Sequence, residues 1–181
     1  MSKETYNNIE FDSGEEVQFY KWLVELKKAG YINEILPQPE PFILSKPFQI
    51  ERVIIMKRVA NKVKQDTIMN SHIYTCDFHV KWSDKMNVTL FNRLLKQRLV
   101  VMDSETFFEV KPSFDQNNMT RLAKINIKWV FHNEGKLVQM VIPEKVFAHT
   151  FTPLGCLTTP TGKPRKIKHK VVLIDEFLKT I

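Results

Sequence analysis

Two short stretches of the sequence carry residue types that can do chemistry, Thr75-Cys76-Asp77-Phe78 and Phe108-Glu109-Val110-Lys111. Alternate side chains of an extended strand share a face, so Glu109 and Lys111 point one way and Val110 the other. With Asp77 on a neighbouring strand, the three form a compact hydrolytic set. Two carboxylates can hold a hard divalent cation through oxygen. Such a cation polarises a phosphate and acidifies a water, and a lysine beside it orients that water or stabilises the growing negative charge. Phosphodiester hydrolysis needs those roles. Each motif ends an otherwise apolar strand, where a charge is costly unless used or paired. Phe107, Phe108 and Val110 surround Glu109, and Tyr74, Cys76 and Phe78 alternate around Asp77. The competing explanation is a cross-strand charge pair at the surface.

A third acid, Glu16, sits near the start of an expected helix and has two readings. It is a further metal ligand, direct or through water, or it is the N3 member of a capping box whose N-cap is Ser13. Glu15 takes its place if the helix is rotated by one residue. His72, Cys76 and His79 do not make a zinc site, because Cys76 and His79 are three apart on a strand and face opposite ways. His79 shares the face of Asp77 and reads as a hydrogen-bonding histidine. Trp82 and Trp129 read as packing residues.

Several elements must position these groups. Asp12 or Ser13 opens a helix to about Ala29, with Gly30 as its stop and Val17, Tyr20, Leu23, Val24 and Leu26 as its apolar stripe. After the prolines at 37, 39 and 41, strands are expected at 42–44 and 48–56, with a loop or short helix over 57–70. A single strand is expected over 72–80, an amphipathic helix over 87–98, and a strand over 106–111 that Pro112 ends. Asn117 and Asn118 are candidate caps for a helix to about His132, followed by a turn at 133–136 and a strand at 137–142 stopped by Pro143. A last strand or helix falls within 169–180. Helices and strands in this order give an α/β class.

The 181 residues amount to one domain's worth of chain, and 43% hydrophobic with 26% charged is the composition of a globular core-forming sequence. Apolar runs such as residues 53–56 and 171–174 are four long, against the ~20 of a spanning helix. The first five residues lack the apolar region of a secretory leader. Two cysteines are too few for a disulfide framework, so a reduced, cytoplasmic setting is expected. No phosphate-binding P-loop, dinucleotide glycine motif or Gly-x-Ser-x-Gly is present, which argues against ATP-driven, nicotinamide-dependent and α/β-hydrolase chemistry.

Lys and Arg number 27 against 20 Asp and Glu, a formal charge of +7. A basic domain of this size favours a polyanion, usually nucleic acid. The first 40 residues are acidic to neutral, and two later stretches are basic: Arg52, Lys57, Arg58, Lys62 and Lys64, then Lys163, Arg165, Lys166, Lys168 and Lys170. Arg121, Lys124 and Lys128 recur at helical spacing and give one basic helix face. All three sets are candidate DNA-backbone contacts, with a solvated surface as the alternative.

The order of a helix with Glu, a strand with Asp, a strand with Glu-x-Lys, then a helix and a strand resembles the PD-(D/E)XK nuclease superfamily, the restriction-endonuclease-like fold. Phe11-Asp12-Ser13-Gly14-Glu15-Glu16 is similar to the opening of small phage-borne endonucleases, and transposon end-cleaving nucleases have a comparable layout. Gly30-Tyr31-Ile32 and Leu36-Pro37-Gln38-Pro39 follow the same course, so the resemblance covers roughly residues 9–142. It implies a central mixed sheet flanked by helices, with Asp77 as the central metal-binding aspartate, Glu109 as the second acid, Lys111 as the motif lysine and Glu16 as the helix glutamate. The Val110 carbonyl is implied as an extra ligand, and Mg²⁺ or Mn²⁺ as the metal. Two departures stand out: Cys76 precedes Asp77 where the family has proline, and 31 residues separate Asp77 from Glu109 where relatives have a tight hairpin.

The expectation is therefore a metal-dependent DNA endonuclease, phage- or mobile-element-encoded and acting on branched, phage or transposon DNA. It comprises a core at 1–145 with an inserted helix within 81–105 and a basic C-terminal extension at 146–181. DNA is the expected partner, with a homodimer and a protein of a recombination, transposition or packaging complex as further ones. The alternative is an inactive nuclease scaffold used for DNA binding or phage–host interaction.

Overall fold

The computed structural model describes residues 3–56, 62–113, 119–159 and 161–181. In chain order the elements are β1 (Glu4–Tyr6), β2 (Ile9–Phe11), α1 (Gly14–Lys28), β3 (Ile32–Pro37), β4 (Phe42–Ser45), β5 (Phe48–Ile54), β6 (Lys62–Met69), β7 (His72–Tyr74), β8 (Phe78–Trp82), α2 (Val88–Leu95), β9 (Glu105–Val110), α3 (Met119–Glu134), β10 (Val138–Val141), α4 (Pro143–His149) and α5 (Ile174–Leu178). They divide into two units, Met1–Pro39 with Cys76–Ile181, and Glu40–Thr75. The residues after 145 belong to the first unit.

The first unit is α/β. Its mixed sheet has the order β10-β9-β8-β3, with β10 parallel to β9 and the other neighbours antiparallel. Helices flank it. A parallel pair cannot be joined by a tight turn, and α3 supplies the crossover from β9 to β10. The helix α1 begins as its sequence dictates: Ser13 is the N-cap and its hydroxyl accepts from the Glu16 amide. At the other end Gly30 takes φ +82, a conformation cheap only without a Cβ, and lets Tyr31 N–H reach the Leu26 carbonyl at 3.0 Å.

The buried face of α1 differs from the expected stripe. Phe19 and Trp22, absent from that stripe, are fully buried, while Tyr20 and Val24 are half-buried. Phe19 sits edge-on to Phe78 and Phe108, with ring centroids 5.7 and 5.1 Å away, and stacks on Trp22. The indole N–H of Trp22 donates to the Thr150 hydroxyl at 3.0 Å, which satisfies its polar atom inside the core. Aromatic bulk thus overrides the aliphatic periodicity as the guide to the inner face.

Two expectations change. The segment expected as a loop or short helix contains a strand, β6; its beginning at 57–61 lies outside the described residues. The single strand expected over 72–80 is two strands in different sheets: β7 pairs with β4, and β8 pairs with β3 and β9. The break falls at Thr75-Cys76-Asp77, so Asp77 precedes β8 rather than lying within a continuous strand. Pro143 stops β10 as expected and also opens α4 at a position where its missing N–H is harmless. The inserted segment holds α2, capped by the Asn87 side chain accepting from Leu90 N–H at 2.8 Å. The C-terminal stretch ends in the helix α5.

The second unit consists of two antiparallel pairs, β4 with β7 and β5 with β6. Phe42 stacks on Tyr74 across the first pair.

Candidate active site

The chemistry-bearing residues meet at one end of the sheet. The β8–β9 register pairs Phe78 with Phe108, and Asp77 lies just before that last pair, at the same end of the sheet as Glu109. Main-chain bonds fix it there: Asp77 N–H donates to the Phe108 carbonyl at 3.0 Å, and the Asp77 carbonyl accepts from Gln38 N–H at 2.9 Å. The Asp77 carboxylate accepts from Val110 N–H at 2.5 Å. Phe108 and Val110 face the core; by strand alternation Glu109 takes the other face. Lys111 follows directly, its N–H bonded to the Val141 carbonyl at 2.8 Å and its ammonium 2.7 Å from Glu109 Oε1. Both side chains of that ion pair are largely buried.

Glu16 closes the group from α1. Its side chain accepts from the Ser13 hydroxyl at 2.7 Å and from Asp12 N–H at 3.1 Å, so both oxygens take part in the cap. The capping reading is therefore realised, with the carboxylate reaching one residue further back than the usual N-cap amide. Glu16 also acts on its neighbours through charge. The Asp77 pKa is pushed up to about 8, by burial first and then by the charges of Glu109 and Glu16, against the Val110 N–H bond and the Lys111 charge. Glu16 is raised too, by burial before any charge. The site thus sets Asp77 near the Glu109–Lys111 pair in a poorly hydrated place, with Glu16 adding its charge, an arrangement that favours either a proton or a cation.

That excess of negative charge is the test of fit for a metal. The donors are hard oxygens, as Mg²⁺ and Mn²⁺ require. Among the described residues no group of three or more His, Cys, Asp or Glu is placed to hold a metal ion. An ion held here would rest on Asp77 and Glu109, completed by main-chain oxygen and water, which suits the reluctance of Mg²⁺ to shed its hydration. The residues fit.

Two neighbours have other work. His79 bonds Glu105 at 2.7 Å and stacks on Phe107 with centroids 4.2 Å apart. The Cys76 thiol is buried, donates to the Phe78 carbonyl at 3.7 Å, and has its pKa raised by burial and then by Asp77. Cys156 is likewise buried and free, its pKa pushed up to about 11 by burial. Trp82 is a packing residue whose N–H meets the Thr106 hydroxyl at 2.9 Å. Sequence reasoning missed Gln38 as a positioning residue. It takes φ +44, unusual for any non-glycine residue and more so before a proline, and its amide holds the Asp77 main chain. The available signal was its place between Pro37 and Pro39.

The expected DNA contacts fall in three places. Arg52, Lys62 and Lys64 lie exposed on β5 and β6, in the second unit. Arg121, Lys124 and Lys128 are exposed along α3. Lys163, Lys166, Lys168 and Lys170 are exposed and Arg165 is half-buried, and Arg165, Lys166 and Lys168 line a cavity of about 280 Å³ with His169 and Glu144. Lys57 and Arg58, and the candidate helix caps Asn117 and Asn118, lie outside the described residues.

The fold and site define an α/β protein whose mixed sheet gathers two acids and a lysine at one end. Comparison with protein-family models, curated proteins and solved structures finds no match to this chain. Among the described residues no helix is long and apolar enough to cross a membrane.

Proposed function

We propose that this chain is a metal-dependent DNA endonuclease with a restriction-endonuclease-like core. The observation that carries the reading is the buried Asp77–Glu109–Lys111 group, set by adjacent strand ends where the sheet could have placed apolar residues at lower cost. The element order α1, β3, β8, β9, α3, β10 supports the same reading, because it puts a glutamate-bearing helix, an aspartate strand and a Glu-x-Lys strand around one point.

Asp77 and Glu109 would hold Mg²⁺ or Mn²⁺, with the Val110 carbonyl as a further oxygen donor. A bound ion of this kind supplies Lewis-acid polarisation of the scissile phosphate and a more acidic water. Lys111 is pinned by Glu109, so its ammonium is oriented before substrate arrives and can steady the attacking water or the charge growing on phosphate oxygen. Val110 N–H fixes the Asp77 carboxylate. Glu16 locks the start of α1 beside the pair and adds negative potential, which strengthens the hold on a cation. Arg121, Lys124 and Lys128 would take backbone phosphates, and a second copy of the chain would supply the second cut of a duplex.

The test is cleavage of labelled linear duplex, single-stranded, flap and four-way DNA with Mg²⁺, Mn²⁺ or chelator, beside Glu109→Ala and Lys111→Ala. Metal-dependent cutting that disappears in both variants is the expected result. Binding without cutting under either metal would transfer the chain to the non-catalytic scaffold class.

A further inference from the structure

The second unit holds a feature that the chemistry at Asp77 and Glu109 does not explain. The β5–β6 ribbon has two unlike faces, and beyond the register shift that follows Phe48↔Met69 its six remaining pairs fall on one or the other. Directly opposed residues of an antiparallel pair share a face. Ile50 opposes Asp66, Arg52 opposes Lys64, and Ile54 opposes Lys62. Gln49 opposes Thr67, Glu51 opposes Gln65, and Val53 opposes Val63 on the other side.

On the second of these faces the polar side chains bond one another, beside the exposed Val53 and Val63. Gln49 donates to the Thr67 hydroxyl at 3.1 Å, and Gln65 donates to Glu51 at 2.9 Å. The first face gathers three cations against one acid. Asp66 is the acid, and it draws Arg52 to 2.9 Å and Lys64 to 3.2 Å, so both long side chains are held over this face although each is more than half exposed. Isoleucines lie between them, and Ile50 is 42% exposed. A ribbon of two strands about 4.8 Å apart fits a major groove about 12 Å wide, and seven residues of β5 reach about 23 Å along it.

We infer that the Arg52–Lys62–Lys64 face of the β5–β6 ribbon enters the major groove of duplex DNA, its cations on phosphates and its isoleucines against base edges. The inference rests on the reading of the chain as a DNA-acting protein but not on hydrolysis. Charge sets the partner: an isologous contact with a second copy through this face would place cations on cations. Phe48, the aromatic residue of the seven opposed pairs, stands at the end of the ribbon beyond a register shift, so the cationic pairs themselves offer no ring on which the bases of a single strand could stack. Isoleucine beside cations suits a groove that displays thymine methyl groups next to phosphate.

The experiment is duplex binding by the full chain in chelator, which suspends any cutting, across a salt series. Arg52→Gln with Lys64→Gln is expected to weaken binding about 10-fold or more and to make the salt dependence shallower by about two phosphates. Lys62→Gln with Lys64→Gln leaves the Arg52–Asp66 bridge in place, guards against a misfolded ribbon, and should act in the same direction. Gln49→Ala with Gln65→Ala, on the opposite face, should stay within about 2-fold of wild type. Methylation of guanine N7, a major-groove atom, should block wild-type binding. Unchanged affinity and salt slope in both cationic-face variants would overturn the inference. So would wild-type binding indifferent to N7 methylation, no wild-type binding of duplex, or a change of oligomeric state in these variants without loss of DNA. A chain that binds through this face and never cuts would leave the inference standing and defeat the nuclease reading alone. A chain that cuts with Mg²⁺ while both variants bind and cut like wild type would do the reverse.

Discussion

Glu109 is 7% exposed at the end of a strand in the middle of the first unit's sheet, whereas Val53 and Val63 are each 56% exposed on the ribbon of the second unit. The two regions break the usual partition of residues in opposite senses. One buries charge among phenylalanines; the other presents β-branched hydrocarbon to water. Burying a carboxylate costs several kcal/mol unless it is paired or neutralised, and at Asp77 that cost appears as a pKa pushed upward. Exposing a valine costs little by comparison, and β-branching favours the extended backbone. The core site is therefore held by its surroundings against an electrostatic penalty, while the ribbon is held by its own cross-strand pairs. The first arrangement suits a site that must attract a cation, and the second leaves the ribbon's faces open to water.

The contrast can be broken first at the acids. Asp77→Ala and Glu109→Ala should lower metal-dependent cleavage by at least about 10³-fold, and Lys111→Ala by about 10²–10³-fold, read as single-turnover rates. Next comes the packing that holds the site. Phe19→Ala, which empties the space against Phe78 and Phe108, should cost about 3–5 kcal/mol in urea unfolding.

A smaller effect, opposite in sign, is expected at Asp77 itself. Its folded pKa lies above its unfolded value of about 3.9. Between the two values the unfolded state loses its proton while the folded state keeps it, so stability falls as pH rises; above about 8 the folded state must carry the charge and the loss is complete. Asp77→Asn preserves an acceptor for Val110 N–H and removes the charge. In chelator it should stabilise the protein on the order of 2 kcal/mol at pH 9, with the gain vanishing below about pH 4. A variant equal to wild type across that range would show that the carboxylate is not strained.

The last two expectations are smaller still. Ser13→Ala removes the hydroxyl that both caps α1 and holds Glu16, and should cost about 1 kcal/mol of stability. On the ribbon, Val53→Thr should change stability by less than about 0.5 kcal/mol in the same assay. A large loss there would mean that the valine is covered and that the contrast between the regions is false.

Much of the first unit was legible because its signals are local. Ser13 with Glu16 marked the start of α1, Gly30 its end, and Pro112 and Pro143 the ends of β9 and β10. Period-two alternation gave the shared face of Glu109 and Lys111, which the 2.7 Å ion pair makes concrete. The break between β7 and β8 was not legible, because the run from His72 to Val80 is uniformly suited to a strand and only its pairing partners change. Nor was β6, whose lysines and glutamine read as a loop or short helix until β5 supplies the partner for each.

What the sequence by itself determined is the choice of side chains and their local geometry: two acids and a lysine at strand ends, a capped helix bearing a glutamate, and a basic surplus. These follow from backbone periodicity and capping, which act within a few residues. Only the tertiary structure decided that Asp77 is bonded to the strand end that carries Glu109 although 31 residues separate the two acids, that Glu16 is held by its cap while charging the pair, and that Arg52, Lys62 and Lys64 share one ribbon face. Those relations depend on strand register and on long-range burial, and no short stretch of sequence encodes either.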